Sequence, residues 1–180
     1  MPARRSWSLG VAALVVVALL ATVALGSGML PRPSGHGPAP SHGHARVTLY
    51  DNASGALLAT VDARVADTPA ERYHGLSNTT PLAPNTGMVF VFPDEKQRAF
   101  VMRDMNYPLD MLFVGADGRV NAVHHASLPP PNTSESELKR YTGDAKWVLE
   151  VPRGFTAAHN VTVGDRMSVN ESTTTSTTHP

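Results

Sequence analysis

A chain of 180 residues has room for one domain with tails, and its 15 Lys and Arg against 15 Asp and Glu argue against a surface built to track nucleic acid or acidic lipid. The absence of Cys excludes disulfides and lipid-modified cysteines, so any exported domain must rely on its own core.

In chain order, Arg4 and Arg5 precede an uncharged run from Leu9 to Leu25. As a helix this run rises about 25 Å, marginal for a bilayer core. The basic start, the apolar run and the small residues Ala24 and Gly26 fit a cleavable signal peptide, whereas continuation through Met29 and Leu30 would make a span. Residues 1–30 are therefore expected to form an N-terminal hydrophobic helix, either signal peptide or membrane anchor. The domain would then be exported, anchored with its bulk outside or secreted. Without Arg4 and Arg5, 13 basic and 15 acidic side chains remain, a balance suited to a soluble domain. Residues 31–45 (PRPSGHGPAPSHGHA) read as a Pro/Gly/His-rich linker, and 170–180 (NESTTTSTTHP) as a disordered Ser/Thr tail.

Between them, residues 46–169 carry mostly strand signals. Val47–Tyr50 and Ala56–Val65 flank the turn-rich Asp51–Gly55, and Gly87–Phe92 is a short apolar run bounded by Gly and Pro. Arg98–Met102, Met111–Val114, Arg119–His124, Trp147–Val151 and Thr162–Val169 complete the set, with Asp117-Gly118 as a hairpin signal. Thr68-Pro69-Ala70-Glu71 spells a helix start, with Thr68 as cap and Glu71 returning to it. Gly75 and Pro81 limit that helix to about two turns. A second short helix is expected near Thr156–His159, and 126–145 reads as a long loop. Many short strands with one or two short helices predict a mainly β, compact, barrel-like single domain.

Five of the eight Asn residues open an Asn-x-Ser/Thr triplet: Asn52, Asn78, Asn132, Asn160 and Asn170. They are candidate N-glycosylation sites on exposed turns, although turns are rich in these residue types for their own reasons.

Thr68-x-x-Glu71-Arg72-x-x-Gly75-Leu76, Gly87-Met88-Val89-Phe90-Val91-Phe92 and Phe100-x-Met102 are followed by Pro108-Leu109-Asp110-Met111-x-Phe113. Val148-Leu149-Glu150-x-x-x-Gly154 and Val163-Gly164-Asp165-x-Met167 then close the series. In order and spacing the series resembles the uncharacterised family DUF192 (UPF0127). The resemblance implies a compact barrel-like β domain, often exported, and brings no established substrate, cofactor or catalytic residue. Relatives generally read Phe-Trp-Met-Lys-Asn-Thr before Pro-Leu-Asp. Here Val101 stands for the Trp, Arg103 for the Lys, Asp104 for the Asn and Met105 for the Thr.

Asp110 is the leading candidate residue, an acid inside the apolar run of Leu109 to Val114. An ionised carboxylate there is costly unless paired, so it either caps the Asn106–Pro108 turn, pairs with Arg72 or Arg103, or binds a ligand. Glu71 is engaged by the capping box, and Arg72 could clamp an anion or neutralise an acid. Glu150, alternating with Leu149 and Val151, reads as a solvated-face acid. Asp110 and Glu150 would make an acid–base pair if they converged. His36, His42 and His44 lie in the linker, and His124 and His125 alternate across a strand, so no metal site is expected. No nucleotide-binding or nucleophile motif is present and no cofactor is expected. The candidate binding residues are Asp110, Arg72, Glu71, Arg103, Asp104 and Glu150, on a surface joining the 103–110 turn, the 126–145 loop and the start of the first helix. The expected function is non-catalytic binding of a small ligand, glycan or envelope protein at the cell surface. The alternatives are an envelope hydrolase using Asp110 with a second acid or Arg72, and a scaffold subunit of an envelope complex.

Overall fold

The computed structural model describes residues 43–171, so the expected N-terminal helix, most of the linker and most of the Ser/Thr tail lie outside the described residues. The described chain folds into one seven-stranded sheet with two short helices. Strands β1 (His44–Tyr50) and β2 (Leu57–Ala66) form an antiparallel hairpin across the Asp51–Gly55 turn. The Asp51 carboxylate accepts from the Ser54 amide, and Gly55 takes the positive φ that the turn requires.

Helix α1 (Pro69–His74) starts at the expected capping box, with Glu71 N–H donating to the Thr68 hydroxyl and the Glu71 carboxylate accepting from the Thr68 amide. It ends at Gly75, whose φ of 51° few other residues would tolerate. The α1 crossover delivers β3 (Thr86–Phe100) parallel to β2. The run Gly87–Phe92 and the first part of the run Arg98–Met102 therefore belong to one long strand, which ends at Phe100, before Val101 and Met102. Its ladder with β6 (Tyr141–Pro152) slips between Val91 and Lys96, where Pro93 has no N–H to give. Strand β6 also absorbs the end of the stretch read as a loop, because Tyr141–Ala145 pairs with Lys96–Phe100.

Strands β4 (Leu109–Val114) and β5 (Val120–Ala126) form the hairpin expected around Asp117-Gly118. Helix α2 (Phe155–Ala158) follows Gly154, and β7 (Arg166–Glu171) returns to pair with β1. The sheet order is β5-β4-β6-β3-β2-β1-β7. The barrel expectation needs correction here: the sheet is not closed into a barrel. The turn before edge strand β5 touches the other edge strand, β7, through the Arg119–Arg166 bridge and neighbouring bonds such as Met167 N–H to Gly118 C=O, at 2.8 Å. Strand β7 pairs along its length with β1 alone, and no ladder joins it to β5 among the described residues.

One face of the sheet is covered along its strands, whereas the other is covered over β3, β4 and β6 and open at Arg46 of β1 and Asp62 of β2, and this decides the environment of Asp110 and Glu150. One face carries Val47, Val61, Val89, Leu112, Leu149 and Val151, with Phe155 of α2 packed on it. The other carries Met88, Phe90, Leu109, Met111, Phe113 and Val148, with Leu76, Met102 and Tyr107 laid over it. Phe90 and Phe100 meet edge to face at 4.9 Å, and Phe100 meets Phe113 at 5.6 Å, which fixes the aromatic part of this second layer.

Candidate functional site

Asp110 is fully buried on the α2 face and accepts five hydrogen bonds. Its Oδ1 takes His125 Nδ1 at 2.8 Å and Arg153 Nη1 at 2.9 Å. Its Oδ2 takes the Gly154 amide at 3.1 Å, the Thr156 amide at 3.0 Å and the Thr156 hydroxyl at 2.8 Å. The carboxylate thus caps α2 from a different strand, supplying the acceptor that Gly154, with no side chain, cannot. Burial pushes its pKa up, but the bonds from His125, Thr156 and Arg153 outweigh it and hold the carboxyl below its usual range. Its cationic partner is Arg153, not the expected Arg72 or Arg103. Sequence reasoning missed Arg153, His125 and Thr156, and the one local signal was Gly154 starting a helix without a side-chain cap.

Glu150 needs the opposite correction. Alternation does turn it away from Leu149 and Val151, but the face it turns to is the second core layer, not solvent. It lies in register with Met88 on one side and Met111 on the other and is only 5% exposed. No hydrogen bond or ion pair reaches its carboxyl among the described residues. Burial alone pushes its pKa up to about 8, so it stays protonated at neutral pH.

Glu150 lines a cavity of about 300 Å³ between α1 and the chain from Ala99 to Met105. Phe90, Phe92 and Phe100 form its aromatic wall, and Arg72, His74 and Arg103 stand among its polar lining. Arg72 donates to the carbonyls of Asp67 and Val91 and lies over the Phe92 ring at 5.1 Å. Arg103 pairs with Glu135 at 3.0 Å, tying the turn to the loop, and covers the Tyr73 ring at 4.0 Å. Asp104 is exposed with a φ of 52° and lines a neighbouring groove of about 340 Å³ between the turn and Pro129–Leu138. Glu71 is engaged with Thr68 and Asp67, and these bonds hold its pKa below the ordinary value.

The structure therefore brings Arg72, Arg103 and Glu150 to one cavity, sets Asp104 beside it, and leaves Glu71 in the helix cap. Asp110 sits elsewhere. It pairs with Val151 while Met111 pairs with Glu150, so the two acids point to opposite faces of the sheet and make no acid–base pair. All five candidate glycosylation asparagines are exposed. Asn78, Asn132 and Asn160 also hold the left-handed backbone that Asn tolerates, which is an independent reason for Asn at those positions. Among the described residues no cluster of His, Asp and Glu has metal-site geometry, and no helix is long and apolar enough to cross a membrane.

Two solved structures share the fold. A crystal structure from Sinorhizobium meliloti 1021, provisionally described as a transcription regulator, is 29% identical with a TM-score of 0.64, covering 73% of this chain and 97% of that one. A protein of unknown function from Novosphingobium aromaticivorans DSM 12444 is 28% identical with a TM-score of 0.62, covering 73% and 89%. No curated protein matches the chain at a significant level. The family model DUF192, described as an uncharacterized ACR, matches residues 50–169, two-thirds of the sequence, and the chain belongs to this family.

Proposed function

We propose that the domain is a non-catalytic binding module that takes a small ligand in the cleft between α1 and the Ala99–Met105 segment. One observation carries this reading: Glu150 is buried at the cavity beside an aromatic wall, and its carboxyl has no partner among the described residues. An unsatisfied buried polar group costs about 1–3 kcal/mol, and a fold that retains one next to a cavity has a ready place for a ligand group. The cavity volume of about 300 Å³ suits a small molecule better than a folded partner.

The basic N-terminus and apolar run support export, so the ligand would be met outside the cytoplasm. The exposed sequons support glycosylation in a host that modifies Asn, and an intact mass from that host equal to the bare chain would count against it. The regulator description of the Sinorhizobium structure is not carried over. Duplex binding draws on basic side chains that neutralise phosphates, and this chain balances 15 basic against 15 acidic residues. The hydrolase alternative loses its geometric support because Asp110 and Glu150 do not converge.

The test is a fragment screen by amide NMR on the 43–171 region within the intact chain. Val101 lines the cavity, so Val101→Trp places an indole in it. Binding in the cleft predicts shifts at Arg72, Ala99–Met105 and Glu150 that Val101→Trp abolishes. Fragments that shift only other surfaces, or shifts that survive Val101→Trp, would overturn it.

A further inference from the structure

We infer that the ligand of this cleft carries a cationic amine on an apolar body, the amine docking against the Glu150 carboxyl and the body against Phe90, Phe92 and Phe100. The inference rests on the binding reading above and names its ligand class.

Glu150 is flanked in the sheet by Met88 and Met111, which offer no donor, and no group among the described residues compensates its charge. A neutral donor on a ligand would satisfy one lone pair. An ammonium would also supply the opposite charge in a site where water is largely excluded and the attraction is strong. The wall beside it has the complementary character. Phe90, Phe92 and Phe100 offer apolar aromatic surface to the body of the ligand, and the Phe92 ring is already engaged by Arg72 at 5.1 Å and Arg98 at 4.1 Å, which leaves Glu150 as the group for the amine. Arg72 and Arg103 do not compete for Glu150. The first is held by two backbone carbonyls and the second by Glu135.

Docking an amine requires the carboxyl to ionise, so binding releases its proton. The charged and titratable groups around Glu150 are few. Arg64, in the same row of the sheet through Met88, and Tyr107, whose pKa burial raises, lie over the same face. Arg72, His74 and Arg103 line the cleft with it. Neither Arg64 nor any other cation makes an ion pair with Glu150 among the described residues. With the free carboxyl titrating at about 8, an amine that must displace its proton at pH 7 binds about tenfold more tightly at pH 9.

The experiment is isothermal titration of the full chain with phenethylamine and, separately, phenylacetate, at pH 7 and pH 9 in two buffers of different ionisation enthalpy. The expected result is phenethylamine binding that releases close to one proton at pH 7, strengthens about tenfold by pH 9, and outcompetes phenylacetate. Glu150→Gln, checked for native circular dichroism, should bind phenethylamine at least tenfold more weakly and release no proton. Glu150→Met serves as a second variant with the same expectation should the buried amide disturb folding. Equal phenethylamine binding by these variants, or absence of proton release, overturns the inference. So does preference for phenylacetate; if Val101→Trp also blocks that binding, the cleft remains a ligand site and only the amine class is lost. If neither probe binds and the fragment screen leaves the cleft unshifted, the binding reading itself falls.

Discussion

Asp110 and Glu150 lie on neighbouring strands one register step apart, yet among the described residues the first accepts five hydrogen bonds and the second none. Two buried acids in one sheet thus have opposite electrostatic fates. Asp110 is ionised and welds α2 to the sheet, while Glu150 is neutral and faces a cavity. The consequences of each are measurable.

Asp110→Ala should cost about 1–3 kcal/mol, because it leaves the Gly154 and Thr156 amides and the buried Thr156 hydroxyl without an acceptor, while the half-exposed Arg153 turns to water. Asp110→Asn should lose a substantial part of this, since its amide NH₂ would face donors on one side. The lowered pKa has a pH signature. The contribution of Asp110 is present above the ordinary carboxylate range and is lost as pH falls through its depressed folded value. Urea unfolding of the variants at pH 7 checks this, and an Asp110→Ala midpoint equal to wild type would remove the capping role.

Glu150 runs the other way. Its folded pKa of about 8 lies above the ordinary 4.5, so the folded state holds a proton that the unfolded chain releases between those values. Stability from this group is fully present below about pH 4.5 and declines as pH rises to about 8. Glu150→Gln removes the titration. Its melting temperature relative to wild type should therefore climb from pH 5 to pH 9, and a difference that stays flat across that range would mean Glu150 is not buried as described.

Two glycines separate space from backbone conformation. A Cβ on Gly143 would sit 2.8 Å from the Phe113 ring, which is itself locked against Phe100. Gly143→Ala should cost about 1–3 kcal/mol through overpacking. Gly154 has open space around it but a φ of 91°, so Gly154→Ala should cost about 1 kcal/mol through backbone strain alone. Thermal unfolding of both variants gives the comparison, and it fails if Gly143→Ala is the milder change.

Thr68→Ala should destabilise the domain by about 1 kcal/mol through loss of the α1 cap, with Thr68→Ser recovering most of it. Because α1 forms one wall of the cleft, the same variant should loosen Arg72 from Val91 and raise amide exchange across Pro69–His74. Unchanged exchange in α1 would show that tertiary packing, not the cap, holds the helix.

Local chemistry made much of this molecule legible before any coordinates. The capping box, the Asp117-Gly118 hairpin and the alternating runs placed α1 and most strands, because each depends on residues within a few positions of one another. The order of motifs from Thr68 to Met167 likewise pointed to the family that the match over 50–169 shows. Strand periodicity also told correctly that Asp110 and Glu150 oppose their neighbours in the chain. What periodicity does not contain is what covers each face. Arg153 and Thr156 reach Asp110 from 43 and 46 positions away, and α1 with the Ala99–Met105 segment lines the cavity at Glu150 from distant parts of the chain. The same limit applies to closure, since a sequence of strands does not say whether its last edge meets its first. The sequence by itself determined which residues alternate, turn and cap. Only the tertiary structure decided which acid found donors and which was left facing a cavity, because partners distant in the chain set the cost of a buried charge.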